Sequence, residues 1–323
     1  MKNNTVYEGA EYPIFLIGSE RSGSTLLRLM LSHHPQLAFH SESDYIIQPL
    51  INQKEEPKGR ELREYYVFLR GNRAFRGSGF IIDGSLSYRE LLRSFLRQKI
   101  MLTGKPIVGM TVHFGFEHLP KIWPEARYIH LVRDGRDVAH SAMKMGWYGN
   151  VWAATERWKN AIASYDKLNA QISSSNIIEV RFEQLVSNPE TELARLSDFI
   201  RISYDKSFFD YSKTSSYSSP GQKKAANWRD HFTRETTRLV ESEIGDLLKR
   251  FNYELSGLDP VTISDDLRCK LLNDNKRLVK KSKIQKYGFW LLAINKFAEK
   301  LRLAQLSSIT KSEIEKITQH NIK

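Results

Sequence analysis

Residues 12–32 read YPIFLIGSERSGSTLLRLMLS, and the order of residue types in this stretch decides the fold. Tyr12–Gly18 is an apolar run of strand length that stops at a glycine, the pattern of a strand buried on both faces. Ser19–Ser24 is a short polar segment bearing a glycine, and Thr25–Ser32 is a helix stopped by His33, His34 and Pro35. The same grammar recurs downstream. Arg127–Val132 (RYIHLV) is a strand followed by Arg133-Asp134-Gly135 and a helix from about Arg136 to Lys144. Ile177–Arg181 (IIEVR) is a strand followed by a helix from about Pro189 to Ile200, and Pro106–Thr111 reads as a further strand. A helix is expected from Phe232 to Phe251. Strands alternating with helices predict an α/β fold of three layers, a central parallel sheet with helices on both faces. Residues 50–105, rich in charge and glycine, read as a partly helical insertion, and residues 203–227 as a loop rich in Ser, Tyr and Lys.

Composition bounds what this fold can be used for. The chain has 323 residues, 41% of them hydrophobic and 27% charged, enough to bury a sizeable core. Its longest apolar runs, Pro13–Ile17 and Phe289–Ile294, fall far short of the ~20 residues that span a bilayer. Glu8 and Glu11 stand where a leader would carry its apolar core, and a single cysteine, Cys269, excludes an internal disulfide and a cysteine-built zinc site. The expected setting is cytoplasmic. The net charge of +12 is unevenly placed: residues 268–323 hold 14 Lys and Arg against 4 Asp and Glu, a surplus of +10, which leaves +2 for the rest. The predicted organisation is a domain over 1–265 and a basic helical extension over 266–323. With the body nearly neutral, nucleic acid is not an expected partner.

Gly18-Ser-Glu-Arg-Ser-Gly23-Ser24-Thr25 fits the phosphate-loop template G-x-x-x-x-G-K-[ST] at every fixed position but one, with Ser24 in the lysine position. Glycines let the backbone curl, its N–H groups turn inward, and a helix N-terminus adds partial positive charge, so an anion is expected there. The lysine normally reaches the β- and γ-phosphates of a nucleoside triphosphate. Its absence, with Arg21 inside the loop as the cation, argues against ATP or GTP hydrolysis.

In these residues the chain resembles the sulfotransferases that use 3′-phosphoadenosine-5′-phosphosulfate (PAPS), whose loop after a buried strand is close to PRSGTTL or PKSGTTW. The resemblance implies a P-loop-like fold and a 5′-phosphosulfate site made of Arg21, Ser22, Gly23, Ser24 and Thr25, with Leu26 where cytosolic members often carry Trp beside the adenine. The family's second signature is an Arg at a strand end and a Ser eight residues later, which hold the 3′-phosphate; here these are Arg133 and Ser141. Val180–Leu185 (VRFEQL) resembles the family's R-Y-E-D-L segment. Residues 223–233 (KKAANWRDHFT) resemble R-K-G-x-x-G-D-W-K-x-H-F-T, which makes Lys223 and Lys224 candidate clamps on the nucleotide.

Sulfonyl transfer needs the donor held in line, the leaving phosphate neutralised and the acceptor hydroxyl relieved of its proton. Arg and backbone donors can hold that charge, so no metal is expected. Two residues can take the proton. Glu42 lies 21 residues after Arg21, a spacing similar to that of the catalytic Glu in tyrosylprotein-type members, and His113 resembles the His of the cytosolic K-T-H segment, without its Lys. The expected reaction moves a sulfonate from PAPS to a hydroxyl-bearing acceptor and releases adenosine 3′,5′-bisphosphate, with residues 50–105 shaping the acceptor pocket. Two other readings stay open: a P-loop kinase or NTPase with a displaced lysine, and a non-catalytic module recruited to membranes. The basic, aromatic stretch over residues 276–306 fits either peripheral contact with an anionic membrane or a terminal helix that packs its aromatic side on the protein.

Overall fold

A computed structural model describes residues 8–52, 55–215, 226–301 and 303–320. The chain divides into two compact units, residues 1–138 with 157–231, and residues 139–156 with 232–323.

The first unit is built on five parallel strands, β1 (Ile14–Ile17), β2 (Leu37–Glu42), β3 (Ile107–Val112), β4 (Arg127–Val132) and β5 (Ile177–Arg181), in the order β2-β3-β1-β4-β5. The central strand β1 is buried on both faces because successive side chains point to opposite sides. Phe15 and Ile17 join one core with Val108, Met110, Tyr128 and Phe95. Ile14 and Leu16 join the other with Leu27, Met30, Ile129 and Leu196. The second core is covered by α1 (Ser24–His33) and, beyond β5, by α5 (Phe182–Ser187) and α6 (Pro189–Ile200). The first is covered by α2 (Tyr88–Thr103), whose start is fixed by a capping box: Ser87 Oγ accepts from the Glu90 N–H and the Glu90 carboxylate accepts from the Ser87 N–H. The helices α3 (Gly135–Lys144) and α4 (Val151–Asn169) follow β4.

Three expectations change. Strand β2 was absent from the sequence reading; its LAFHSE carries polar residues, and only pairing with β3 makes it extended. Residues 50–105 are less an insertion than the crossover from β2 to β3, since α2 buries Leu91, Leu92, Phe95 and Leu96. The described part of 203–227 is not a loose loop, because Phe208 and Tyr211 are buried against α1, Phe208 with its ring 5.0 Å from that of His34.

Strand β2 also buries a titratable group. His40 packs its ring 4.8 Å from that of Phe80, and burial, helped by the charges of Lys99 and Arg28, pushes its pKa down to about 4. The unfolded chain therefore binds a proton that the folded one refuses between pH 6.5 and 4. This contribution to stability is whole above about 6.5 and is lost as pH falls through that window, ~3 kcal/mol in all. Urea unfolding at a series of pH values should show the slope, and His40→Gln should flatten it.

The second unit is helical in its larger part: α7 (Arg234–Arg250), α8 (Asp265–Tyr287), α9 (Phe289–Lys300) and α10 (Ala304–His320). These last three helices belong to one unit with residues 139–156 and 232–265.

Candidate active site

Because all five strands run the same way, their C-terminal ends share one edge of the sheet, where open α/β folds bind ligands. The loop Gly18–Gly23 leaves β1 there. Its neighbours β3 and β4 deliver His113 and Arg133, each one residue past its strand, and β2 delivers Glu42.

Two glycines in the loop are required by space and by backbone. Gly18 has φ +139°, and a Cβ on it would stand 2.3 Å from the Leu131 carbonyl oxygen of β4. Gly23, with φ +98°, caps the N-terminus of α1, and a Cβ there would meet the Phe182 ring at 2.3 Å. Between them Arg21 takes φ +70°, a left-handed conformation that costs a non-glycine residue about 1 kcal/mol or more. Ser22 is 1% exposed, and among the described residues its Oγ has no hydrogen-bond partner. A hydroxyl buried without a partner in a curled loop at a helix N-terminus is a donor that an anion would satisfy.

Arg133 comes to this loop. Its Nη1 donates to the Arg21 carbonyl oxygen at 3.2 Å, its guanidinium lies 4.6 Å from the centre of the Phe182 ring, and its Nη2 stands 3.5 Å from Asp137 Oδ2. Phe182 thus backs both Gly23 and Arg133, so the VRFEQL segment serves as a wall behind the glycine loop and this guanidinium. Asp137 is buried, which raises its pKa, while Arg133 opposes the rise; its Oδ1 accepts from the Trp228 N–H at 2.8 Å. Trp228 is itself buried, with the Arg136 guanidinium 3.9 Å from its ring centre, and Arg136 is held by the Asp134 carboxylate. The part of the KKAANWRDHFT segment that is described is therefore anchored to the start of α3. Lys223 and Lys224 lie outside the described residues.

His113 is 2% exposed, with both ring nitrogens and its backbone N–H engaged. Its Nδ1 is 2.9 Å from the Gly18 carbonyl oxygen, which can only accept, so Nδ1 carries the proton. In the neutral ring Nε2 is then an acceptor, and Ser24 Oγ stands 3.3 Å from it. The Asp44 carboxylate takes the backbone N–H groups of His113 and Phe114 at 2.6 and 2.9 Å, while burial raises its own pKa against the pull of His113. His113 ties β3 to the phosphate loop. Glu42 is exposed, and the register between β2 and β3 slips between His40 and Glu42, a bulge of the kind that re-aims a side chain at a strand end. Two strand spacings, about 10 Å, separate its strand from β1.

Of the other expected residues, Thr25 is half-buried in the first turn of α1, and Ser141 lies on α3 in the second unit. Leu26 is buried in the core with Leu27 and Met30, so its side chain belongs to the packing beneath α1 and not to the open side of the loop. Sequence reasoning missed Asp44, Asp137 and the ion pair between Arg157 of α4 and Glu20 of the loop. Nothing in their local sequence separates them from surface charges; only their tertiary partners do. Among the described residues no group of three or more His, Cys, Asp or Glu is arranged to hold a metal.

Residues 13–206 match the model of a family described as "Sulfotransferase family". Similar curated proteins include Protein-tyrosine sulfotransferase A of Caenorhabditis elegans, 26% identical over 203 residues that make up 59% of this chain and 50% of that protein. Protein-tyrosine sulfotransferase 2 of Gallus gallus is 27% identical over 206 residues, 59% of this chain and 51% of the other. The chain spans about half the length of these relatives. Among solved structures, the sulfotransferase domain from the Synechococcus PCC 7002 olefin synthase superposes with a TM-score of 0.53 at 18% identity, over 75% of this chain and 95% of that one. At that identity the likeness is one of fold.

Proposed function

Because this chain belongs to the sulfotransferase family, we propose that it transfers a sulfonate from PAPS to an acceptor hydroxyl. The observation that supports this reading is the hydrogen bond from Arg133 to the backbone of the glycine loop: a guanidinium past β4 stands against the loop past β1, as a nucleotide with phosphates at both its 5′ and 3′ positions would need.

In this reading the loop N–H groups, Ser22 and Arg21 hold the 5′-phosphosulfate, and Arg133 holds the 3′-phosphate. Glu42 takes the proton of the acceptor O–H. The acceptor oxygen forms its bond to sulfur as the bond from sulfur to the 5′-phosphate oxygen breaks, and adenosine 3′,5′-bisphosphate departs. The positive field of loop and Arg21 neutralises the charge gained by the leaving phosphate. Two features favour Glu42 over His113 as the base: Glu42 is exposed at this edge, whereas His113 is sealed, with both ring nitrogens engaged. The names of the curated relatives make a tyrosine hydroxyl the first acceptor to try.

The test is a thermal-shift titration with adenosine 3′,5′-bisphosphate against ATP, both without metal, followed by transfer of labelled sulfonate from PAPS to a tyrosine peptide and to simple phenols. Stabilisation by the bisphosphate at concentrations where ATP gives none, together with label transfer, is the expected result. Magnesium-dependent ATP consumption would instead identify a kinase or NTPase.

A further inference from the structure

Helix α9 in the second unit, with the residue that follows it, leaves a stripe of large apolar side chains on its outer face. Trp290, Ile294, Phe297 and Leu301 recur at spacings of four, three and four, which places them in one stripe. They are 75%, 42%, 57% and 52% exposed. The face that α9 turns inward carries the half-buried Leu291 and Leu292 beside small and polar groups. Ala298 is fully buried, Asn295 Oδ1 accepts from Thr310 Oγ1 of α10 at 2.8 Å, and Glu299 pairs with Lys311 of α10 at 3.1 Å. A third face, beside the stripe, carries Lys296 and Lys300, both exposed and four residues apart. The aromatic residues of this segment do not cover the protein.

The charge around the stripe selects its occupant. Residues 276–300 contain eight Lys and Arg against a single acidic residue, Glu299, and that one is already paired with Lys311. A second copy of this chain would bring the same excess of positive charge to the contact and be repelled. An anionic lipid surface is complementary in both respects: its acyl boundary accepts Trp, Phe, Ile and Leu, and its headgroups attract the lysines. Among the described residues no helix is long and apolar enough to cross a membrane, so the contact is one of lying on the surface. We infer that the α9 stripe Trp290–Ile294–Phe297–Leu301, with Lys296 and Lys300 beside it, docks the protein on anionic lipid bilayers. The inference is independent of the sulfonate-transfer reading and holds or fails without it.

Co-sedimentation of the whole chain with vesicles tests it, comparing phosphatidylcholine alone with phosphatidylcholine containing one-third phosphatidylglycerol. Binding should appear on the anionic vesicles, weaken with salt and be slight on the neutral ones. Lys296→Gln with Lys300→Gln should weaken it by about 25-fold, roughly fivefold per charge removed. Trp290→Ser with Phe297→Ser should weaken it by about tenfold or more, and both variants, altered only at exposed positions, should keep the parent melting temperature. Absence of binding to anionic vesicles overturns the inference, as does parent-like binding by the Trp290, Phe297 variant. Sedimentation velocity without lipid supplies the remaining arm: dimerisation abolished by the same variant, with no vesicle binding, would hand the stripe to a second copy.

Discussion

Arg133→Ala is expected to weaken the binding of adenosine 3′,5′-bisphosphate on the order of a hundredfold, because in the proposed site the variant leaves a phosphate without its forked, charge-assisted donor. In the proposed reaction the same change raises the KM for PAPS more than it lowers kcat. Arg133 also donates to the Arg21 carbonyl, so a loss of affinity by itself has two readings: a missing phosphate ligand or a slackened loop. Calorimetry with two nucleotides separates them. If Arg133 holds the 3′-phosphate, the penalty falls on the bisphosphate and largely spares adenosine 5′-phosphate. An equal penalty on both would reduce Arg133 to a brace for the loop, and the assignment of the second anion site would be lost. Arg133→Lys keeps the charge but not the fork, and is expected to recover only part of the affinity.

Glu42→Gln is expected to lower kcat by about 10²- to 10⁴-fold, the usual worth of a positioned general base, while leaving nucleotide affinity near that of the parent. Gln is nearly isosteric and position 42 is exposed, so folding is not at issue. His113→Ala is expected to behave in the opposite way. It removes the link between Gly18 and Ser24 and should lower melting temperature and nucleotide affinity together. A Glu42→Gln enzyme with full turnover, beside a His113→Ala enzyme that binds nucleotide normally and turns over poorly, would move the base to His113.

These experiments rest on residues of unequal legibility. The loop Gly18–Thr25 is local: strand, glycines, polar residues and helix follow one another without interruption, so its chemistry can be read from adjacent letters. Arg133 was legible through the resemblance, as the Arg at a strand end with a Ser eight residues later. The weighing of Glu42 against His113 needed more. Both stand near strand ends, but β2 has too little apolar alternation to declare itself a strand, and the bulge before Glu42 breaks the period on which any reading of its direction depends. The placement of Leu26, which stands where cytosolic members often carry Trp, needed the structure because a helix has an inner and an outer face. Which one a given leucine occupies depends on the sheet beneath it, and Leu26 lies in that core.

The amino-acid sequence alone determined the alternation of buried strands and helices, the glycine loop with Ser24 in place of lysine, and the basic C-terminal segment. Each of these is written in short-range composition: apolar runs, glycine spacing and local charge. Only the tertiary structure decided that β2 is a strand, that His113 seals the loop, that Phe182 and Asp137 back Arg133, and that the aromatic stripe of α9 faces outward. Those outcomes depend on contacts between residues far apart in the chain, where burial and hydrogen-bond partners are set by strand order and helix packing, and no local pattern of residue types encodes them.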